Sequence, residues 1–311
     1  MNRFLAKHSP LLILAALCIV MAFLLPAFST PRNVTSVVYR TSVVGIVAVG
    51  QLLVIIVGGI DLSVGSVAAL SGVIAGLALR DYHTPVAVAI VLGSMTGLLC
   101  GAVNGLLVSK GRIPSFIATL GMMMAARGAA LLLSKAQHIT LDEGIRFLGG
   151  MRGWWIPVAI TIAIAVVFAV ILVFTRFGRS LYATGGNPTG ARLSGVPVDR
   201  VRTGAFALCG LLAGFAGVML GSRLGTADGT AAEGMELDSI SACVMGGASL
   251  MGGEGGVAGS LAGALIMNVM VNFCNLKGYD SQWQKILIGA LIVLLVLYDT
   301  SRKRKAGLLR D

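Results

Sequence analysis

Few side chains in this sequence are equipped for chemistry, and those that stand out do so because they interrupt apolar stretches. Asp61 and Ser63 lie in Gly58-Gly59-Ile60-Asp61-Leu62-Ser63-Val64-Gly65, an acid, a hydroxyl and glycines between two apolar segments. Such a pair caps the helix that follows or serves as a pathway or gating group, and the two roles are compatible. Arg127 falls inside the apolar segment 116–134. A lone charge at mid-bilayer costs roughly 2.5–3.5 kcal/mol on insertion scales, so it must face protein or water. Asp61 and Asp238 are the partners the sequence offers it. Asn268 and Asn272 stand one helical turn apart and give one helix a polar edge, which lines a route for a hydroxylated solute or bonds across helices. With Asn104, an amide in the segment 86–108, these six residues (Asp61, Ser63, Asn104, Arg127, Asn268 and Asn272) are the candidate pathway or gating groups.

Bond-making chemistry finds no comparable support. No Gly-x-x-x-x-Gly-Lys-Ser/Thr loop is present, so the chain does not itself cradle ATP phosphates by that device. There is no His-Glu-x-x-His motif and no nucleophile–base set, and no catalytic or metal residue is assigned. Cys18, Cys100, Cys209, Cys243 and Cys274 all lie in apolar segments without the close spacing of a metal or redox motif, and read as small core residues.

The elements that must position these groups are membrane helices. Of the 311 residues 56% are hydrophobic and 12% charged, and the mean hydropathy is +0.90. A soluble domain could not bury that much apolar surface, and frequent glycine with few aromatics argues against a β-barrel. The chain reads as an all-α polytopic membrane protein, a single domain over 1–311. The apolar run Leu11–Leu25 follows Arg3 and Lys7, and Ala27-Phe28-Ser29 resembles a cleavage site. Keeping that run as an uncleaved first span places the later basic loops on the cytoplasmic side. The remaining segments are 41–58, 66–80, 86–108, 116–134, 155–175, 203–222, 238–250, 257–275 and 285–299. Together they make about ten helices with both termini cytoplasmic. Those near 58–66 and 238–257 are short, glycine-rich and charged, and are expected to be broken or re-entrant. Outer loops fall at about 135–153 and 223–237, with Trp154 and Trp155 at the interface. The net charge of +11 resides in short loops and in the C-terminal cluster Arg302, Lys303, Arg304, Lys305 and Arg310. That is a lipid-facing, positive-inside pattern rather than a nucleic-acid surface.

Glycines spaced four apart (Gly93, Gly97, Gly101 and Gly105; Gly255, Gly259 and Gly263; Gly210 and Gly214; Gly217 and Gly221) form flat stripes for close helix contact. The longest interruption is Leu181–Arg202, within the basic stretch 176–202. Gly185 and Gly186 break the preceding segment, Asn187 is an N-cap and Pro188 the first helical residue. Gly195 closes the short helix and Pro197 stops it. Such an element is either a docking knob for a soluble partner or an ordinary interhelical loop.

Four stretches, GGIDLSVGSV (58–67), KGRIPSFIATLGMM (110–123), GGNPTGARLSGVPV (185–198) and GGASLMGGEGGVAGSLAGALI (246–266), resemble the permease subunits of ribose/xylose-type ABC sugar importers, in the same order and spacing. The resemblance spans about residues 5 to 300. It implies a type II-like importer permease in the bacterial inner membrane, moving a monosaccharide such as ribose by alternating access. It implies a second permease subunit (an identical or related chain), cytoplasmic ABC ATPases that bind the ATP and Mg, and an outer-face sugar-binding protein. It also implies that Gly185, Gly186, Asn187, Pro188, Ala191, Arg192, Leu193, Ser194 and Gly195 couple the permease to the ATPase. At Gly190 family members often carry Ala, which softens the short helix here. The rival from another class is an ion-gradient-driven secondary transporter, which needs more intramembrane acids than Asp61 and Asp238. A passive channel is a third reading.

Overall fold

A computed structural model describes residues 3–280 and, after them, residues 282–284, 286, 288–290, 293, 294 and 297. The basic cluster at 302–310 and much of the expected helix 285–299 lie outside the described residues. The chain opens with α1 (Arg3–Leu24) and a 3-10 turn, Pro26–Ser29. α2 (Pro31–Ile56) begins at 31 rather than 41, because Pro31 takes the first helical position. Its polar first turns carry Arg32, Asn33, Tyr39 and Arg40, and its 26 residues reach about 39 Å. There follow α3 (Val64–Tyr82), α4 (Val86–Ser109), α5 (Ser115–Ser134), α6 (Trp155–Phe174), α7 (Arg176–Gly186), α8 (Pro188–Leu193), α9 (Val198–Leu224), α10 (Met235–Met245) and α11 (Val257–Leu276). Among the described residues seven helices are long and apolar enough to cross a membrane: α2, α3, α4, α5, α6, α9 and α11.

The core lies along α2, where Ile46, Leu52, Leu53, Ile55 and Ile56 expose nothing. α6, α9, α10 and α11 pack around it. α4, α5 and α6 turn Val91, Leu99, Leu132 and Val173 outward, an apolar rim that water would not tolerate and hydrocarbon does. The most intimate pairing is α4 with α9, where the two glycine stripes meet: a Cβ on Gly97 would strike the Gly210 carbonyl, and one on Gly210 the Gly97 carbonyl. Gly259 and Gly263 of α11 pack on Gly246 and Ala242 in the same way. Gly255, expected on that stripe, precedes the helix, with φ +140°.

Both expected interruptions are present. Residues 57–63 separate α2 from α3, and α10 has 11 residues before the irregular stretch 246–256. Eleven residues rise only about 16 Å, half of a hydrocarbon core. The segments 135–153 and 223–237, expected as two loops, are joined by an antiparallel pair, β1 (Ile139–Thr140) with β2 (Thr226–Ala227), in the register Ile139↔Ala227. α9 runs from α8 at one end of the molecule to this strand pair at the other.

Candidate functional site

The local chemistry of α8 follows its residue types closely. Asn187 is extended (φ −156°), and its side-chain oxygen accepts the Gly190 N–H at 2.9 Å. Pro188 fills the first position, where no amide is needed. At the far end the Val196 N–H reaches the Ala191 carbonyl at 3.0 Å while Gly195 turns left-handed, φ +82°. The 6-residue helix is therefore closed by its own residues. Arg192 pairs with Asp199 at 2.7 Å on the surface, and Leu193 stands 86% exposed beside it.

Gly185 and Gly186 do not break the preceding segment; both belong to α7, a helix the sequence reading left as loop. Thr175 caps it by accepting the Gly178 N–H at 3.1 Å. The glycines serve close approach instead. A Cβ on Gly185 would collide with the Ile56 carbonyl, the last residue of α2, and would lie 2.5 Å from Gly253 N. The Gly253 N–H itself donates to that Ile56 carbonyl at 2.8 Å. Gly252 lies against Gly58, and the Tyr182 hydroxyl donates to the Gly255 carbonyl at 2.8 Å. Three separate double-glycine stretches, 58–59, 185–186 and 252–253, thus meet behind α8. The end of α2 and the irregular segment after α10 are both held to the helix that carries it.

The six polar candidates divide into three arrangements. Asp61, Ser63 and Asn104 form one buried cluster, exposed by 1%, 1% and 0%. One Asp61 carboxylate oxygen accepts both the Ser63 N–H at 2.8 Å and its hydroxyl at 2.6 Å, and the Asn104 amide donates to the Ser63 oxygen at 2.9 Å. Neither side chain caps α3, contrary to expectation. The short acid–hydroxyl loop spends its hydrogen bonds on itself and on α4. The Gln51 amide, suitably oriented, bonds both backbone groups of Asp61, and the Ile60 N–H donates to Ser115 at 3.2 Å. The unwound stretch is so stapled to α2, α4 and α5.

Arg127 pairs with neither Asp61 nor Asp238. Its guanidinium donates to the carbonyls of Gly229 and Ala231 at 2.6 and 2.8 Å, and Asp238 lies 3.9 Å from Arg40 instead. The reason is a loop whose course local sequence does not reveal. Ala227 touches Gly76 of α3, whereas the Ala232 carbonyl and the Glu236 carboxylate touch Gly65. Eleven helical residues separate those contacts, so the chain descends along α3 by about 16 Å and brings backbone oxygens to the half-buried arginine. Burial pushes the Asp228 carboxyl up, but the Thr230 N–H and hydroxyl, His138 and Arg127 outweigh it and hold it below its ordinary value. Arg127→Met is expected to speed amide hydrogen exchange in 229–234 by about tenfold or more, since two charge-assisted hydrogen bonds are lost. Unchanged exchange there would remove the anchoring role.

Asn268 and Asn272 part company. Asn268 donates to the Ala264 carbonyl of its own helix at 2.8 Å, while Asn272 exchanges two amide bonds with Asn33 of α2, at 2.7 and 3.0 Å. Arg40, Tyr39 and Asp199 are site neighbours beyond the residues singled out from the sequence. A helix start at Pro31 was the available signal for the first two.

Comparison with known proteins places this arrangement in a family. Residues 33–296 match the family described as branched-chain amino acid transport system / permease component. The ribose import permease protein RbsC of Escherichia coli (strain K12) is 38% identical over 97% of this chain and 96% of its own length. RbsC of Bacillus subtilis (strain 168) is 41% identical over 96% and 94%. The L-arabinose ABC transporter permease protein AraH of Azospirillum brasilense is 39% identical over 90% and 83%. No solved structure gives a significant match. With a family match over most of its length and relatives aligned almost end to end, this chain belongs to the branched-chain amino acid transport system / permease component family, and within it is similar to sugar import permeases.

Proposed function

We propose that this chain is the transmembrane permease subunit of an ATP-driven importer for a monosaccharide, working by alternating access. The observation that carries the reading is the glycine knot behind α8. A self-capped helix with an exposed arginine and leucine is joined through Gly185 and Gly253 to the end of α2 and to the segment after α10. A push on α8 therefore reaches both interrupted segments without crossing a flexible linker. In this reading α8 faces the cytoplasm and docks on a separate ABC ATPase, which holds ATP and Mg. The end with the β1–β2 pair receives sugar from a binding protein, and a second permease copy or related chain completes the pathway. The chain has about ten spans of a type II-like permease with both termini cytoplasmic. The relatives named for ribose, L-arabinose and fructose support a monosaccharide as cargo.

The test is reconstitution in proteoliposomes with the cognate ATPase and binding protein, offering radiolabelled D-ribose, L-arabinose and D-fructose. ATP-dependent uptake of at least one sugar is expected. Uptake that needs an ion gradient and ignores ATP would instead support a secondary transporter. Arg192→Glu, or replacement of Pro188 with loss of the helix start, is expected to lower uptake at least tenfold while ATP hydrolysis persists. Undiminished uptake in both would sink the coupling role.

A further inference from the structure

A cavity of about 550 Å³ opens beside α8, between the loop joining α4 to α5 and the start of α9. Its charged lining is one-sided. Arg112 of the loop, Arg192 of α8 and Arg202 of α9 stand against a single acid, Asp199. That acid is already taken, since it pairs with Arg192 at 2.7 Å. Among the described residues Arg112 and Arg202 make no ion pair and donate no side-chain hydrogen bond. The wall therefore carries two guanidiniums without a counter-charge. Like charges gathered on one cavity raise its potential and favour an anion within it.

The backbone adds to this field. α5 begins at Ser115 and α9 at Val198, and both residues line the cavity. Helices of 20 and 27 residues thus place their positive ends there, with first amides that no intrahelical carbonyl can satisfy. The first turn of α5 holds no acid, and that of α9 holds only the paired Asp199. Thr189 supplies a hydroxyl, while Val108 and Ile113 form an apolar part of the wall. A carboxylate brings one charge and two oxygens to such a site. A phosphate monoester brings up to two charges and three free oxygens, which matches two guanidiniums with amide and hydroxyl donors. The space exceeds what inorganic phosphate fills and leaves the apolar wall to an organic group.

We propose that this cavity binds a phosphate-bearing anion, a phosphorylated small molecule or the headgroup of an anionic lipid, with Arg112 and Arg202 as its cationic partners. The chemistry goes beyond the transport reading, which adds only that the cavity opens to the cytoplasm.

The experiment uses the full chain in nanodiscs of zwitterionic lipid at low salt. D-ribose 5-phosphate, inorganic phosphate and acetate are titrated by calorimetry. Both phosphates are expected to bind about tenfold or more tightly than acetate. Arg112→Gln combined with Arg202→Gln is expected to weaken phosphate binding about tenfold or more, because both unpaired charges are lost. Arg200, exposed on α9 and outside the cavity lining, is the control. Arg200→Gln should bind within about twofold of wild type. Should the double variant not run as a monodisperse peak, Arg112→Gln alone, at an exposed loop position, takes its place. Its expected loss is about threefold or more.

Nanodiscs containing phosphatidylglycerol separate the two sources. A headgroup in the cavity lowers D-ribose 5-phosphate binding about threefold or more, and native mass spectra then show more of this lipid on wild type than on the double variant. A soluble phosphate as ligand leaves binding unchanged by the lipid. Absence of phosphate binding, together with no preference of wild type for phosphatidylglycerol, overturns the site. Acetate binding as tightly as phosphate also overturns it and points to an acidic side chain of a protein partner. An equal loss in Arg200→Gln and the double variant overturns it as well. ATP-driven uptake is scored separately in proteoliposomes. Phosphate binding without any uptake overturns the transport reading and leaves the cavity assignment standing.

Discussion

Alanine at position 185 is expected to abolish ATP-driven sugar uptake, while alanine at its neighbour 186 is expected to leave uptake within about twofold of wild type. The two glycines are adjacent in one helix and differ in what surrounds them. A methyl on Gly185 would collide with the Ile56 carbonyl and crowd the amide of Gly253, both backbone atoms already joined to each other at 2.8 Å. Backbone at such a junction cannot step aside as a flexible side chain would. Either that hydrogen bond opens or α7 lifts from the knot. Overpacking with a lost buried hydrogen bond costs on the order of 2–5 kcal/mol. At Gly186 a methyl meets no atom within 4 Å, and alanine improves helix propensity there. Uptake assays on the two variants, normalised to the amount of each in the membrane, separate the outcomes. If Gly185→Ala transports as well as Gly186→Ala, the knot is not the connection between α8 and the bundle.

The second large effect lies in the bundle. Gly97→Val is expected to remove most folded protein from detergent extracts, seen as loss of the monodisperse peak in fluorescence size-exclusion chromatography. α4 and α9 meet there backbone to backbone: an added Cβ would collide with the Gly210 carbonyl and lie 2.8 Å from the Gly214 Cα. The partner side is equally closed, since a Cβ on Gly210 would strike the Gly97 carbonyl. Relief demands separating the most extensive helix pair in the molecule, at roughly 3 kcal/mol or more, a large part of a typical protein's stability. Gly121→Ala and Gly128→Ala on α5 provide the comparison, because neither position has an atom within 4 Å of an added Cβ. Both should extract and run like wild type. Normal extraction of Gly97→Val would mean that the stripes do not set the helix spacing.

What the sequence disclosed and what it withheld divide along the range of the interactions involved. Asn187, Pro188 and Gly195 act on their own neighbours, and the helix they bound, Pro188–Leu193, could be placed from residue types alone. The glycine stripes were legible for the same reason, since periodicity is a property of one helix. Which stripe meets which was not, because that is decided between segments distant in the chain. Arg127 shows the limit most clearly. Opposite charge suggested Asp61 and Asp238, yet its guanidinium is satisfied by carbonyls of a descending loop. Backbone acceptors leave no mark in a sequence. α7 was hidden by the two glycines at its end, which read as a break and serve as a contact surface. α2 was shortened because Arg32, Asn33 and Arg40 dilute its apolar pattern, although Pro31 marks its start. The chain's place among sugar permeases, by contrast, was carried by four short motifs, and relatives aligned almost end to end bear it out.

The brevity of α10 has a consequence for how the protein is made. Its 11 residues include Glu236 and Asp238, and each acid would cost about 2.5–3.5 kcal/mol at the centre of an isolated inserting helix. It cannot leave the translocon for lipid alone. Its place is between α2, where Cys243 meets the Ala48 carbonyl, and α11, where Gly263 fits against Ala242. α11 follows α10 in the chain and has not yet inserted when α10 emerges. The stretch from β2 to Gly256 must therefore wait in water or at the headgroups until its neighbour has inserted. It then folds in once α11 is in place, and a chain whose synthesis stops short of Leu276 would be integrated in the bilayer yet left open along one side.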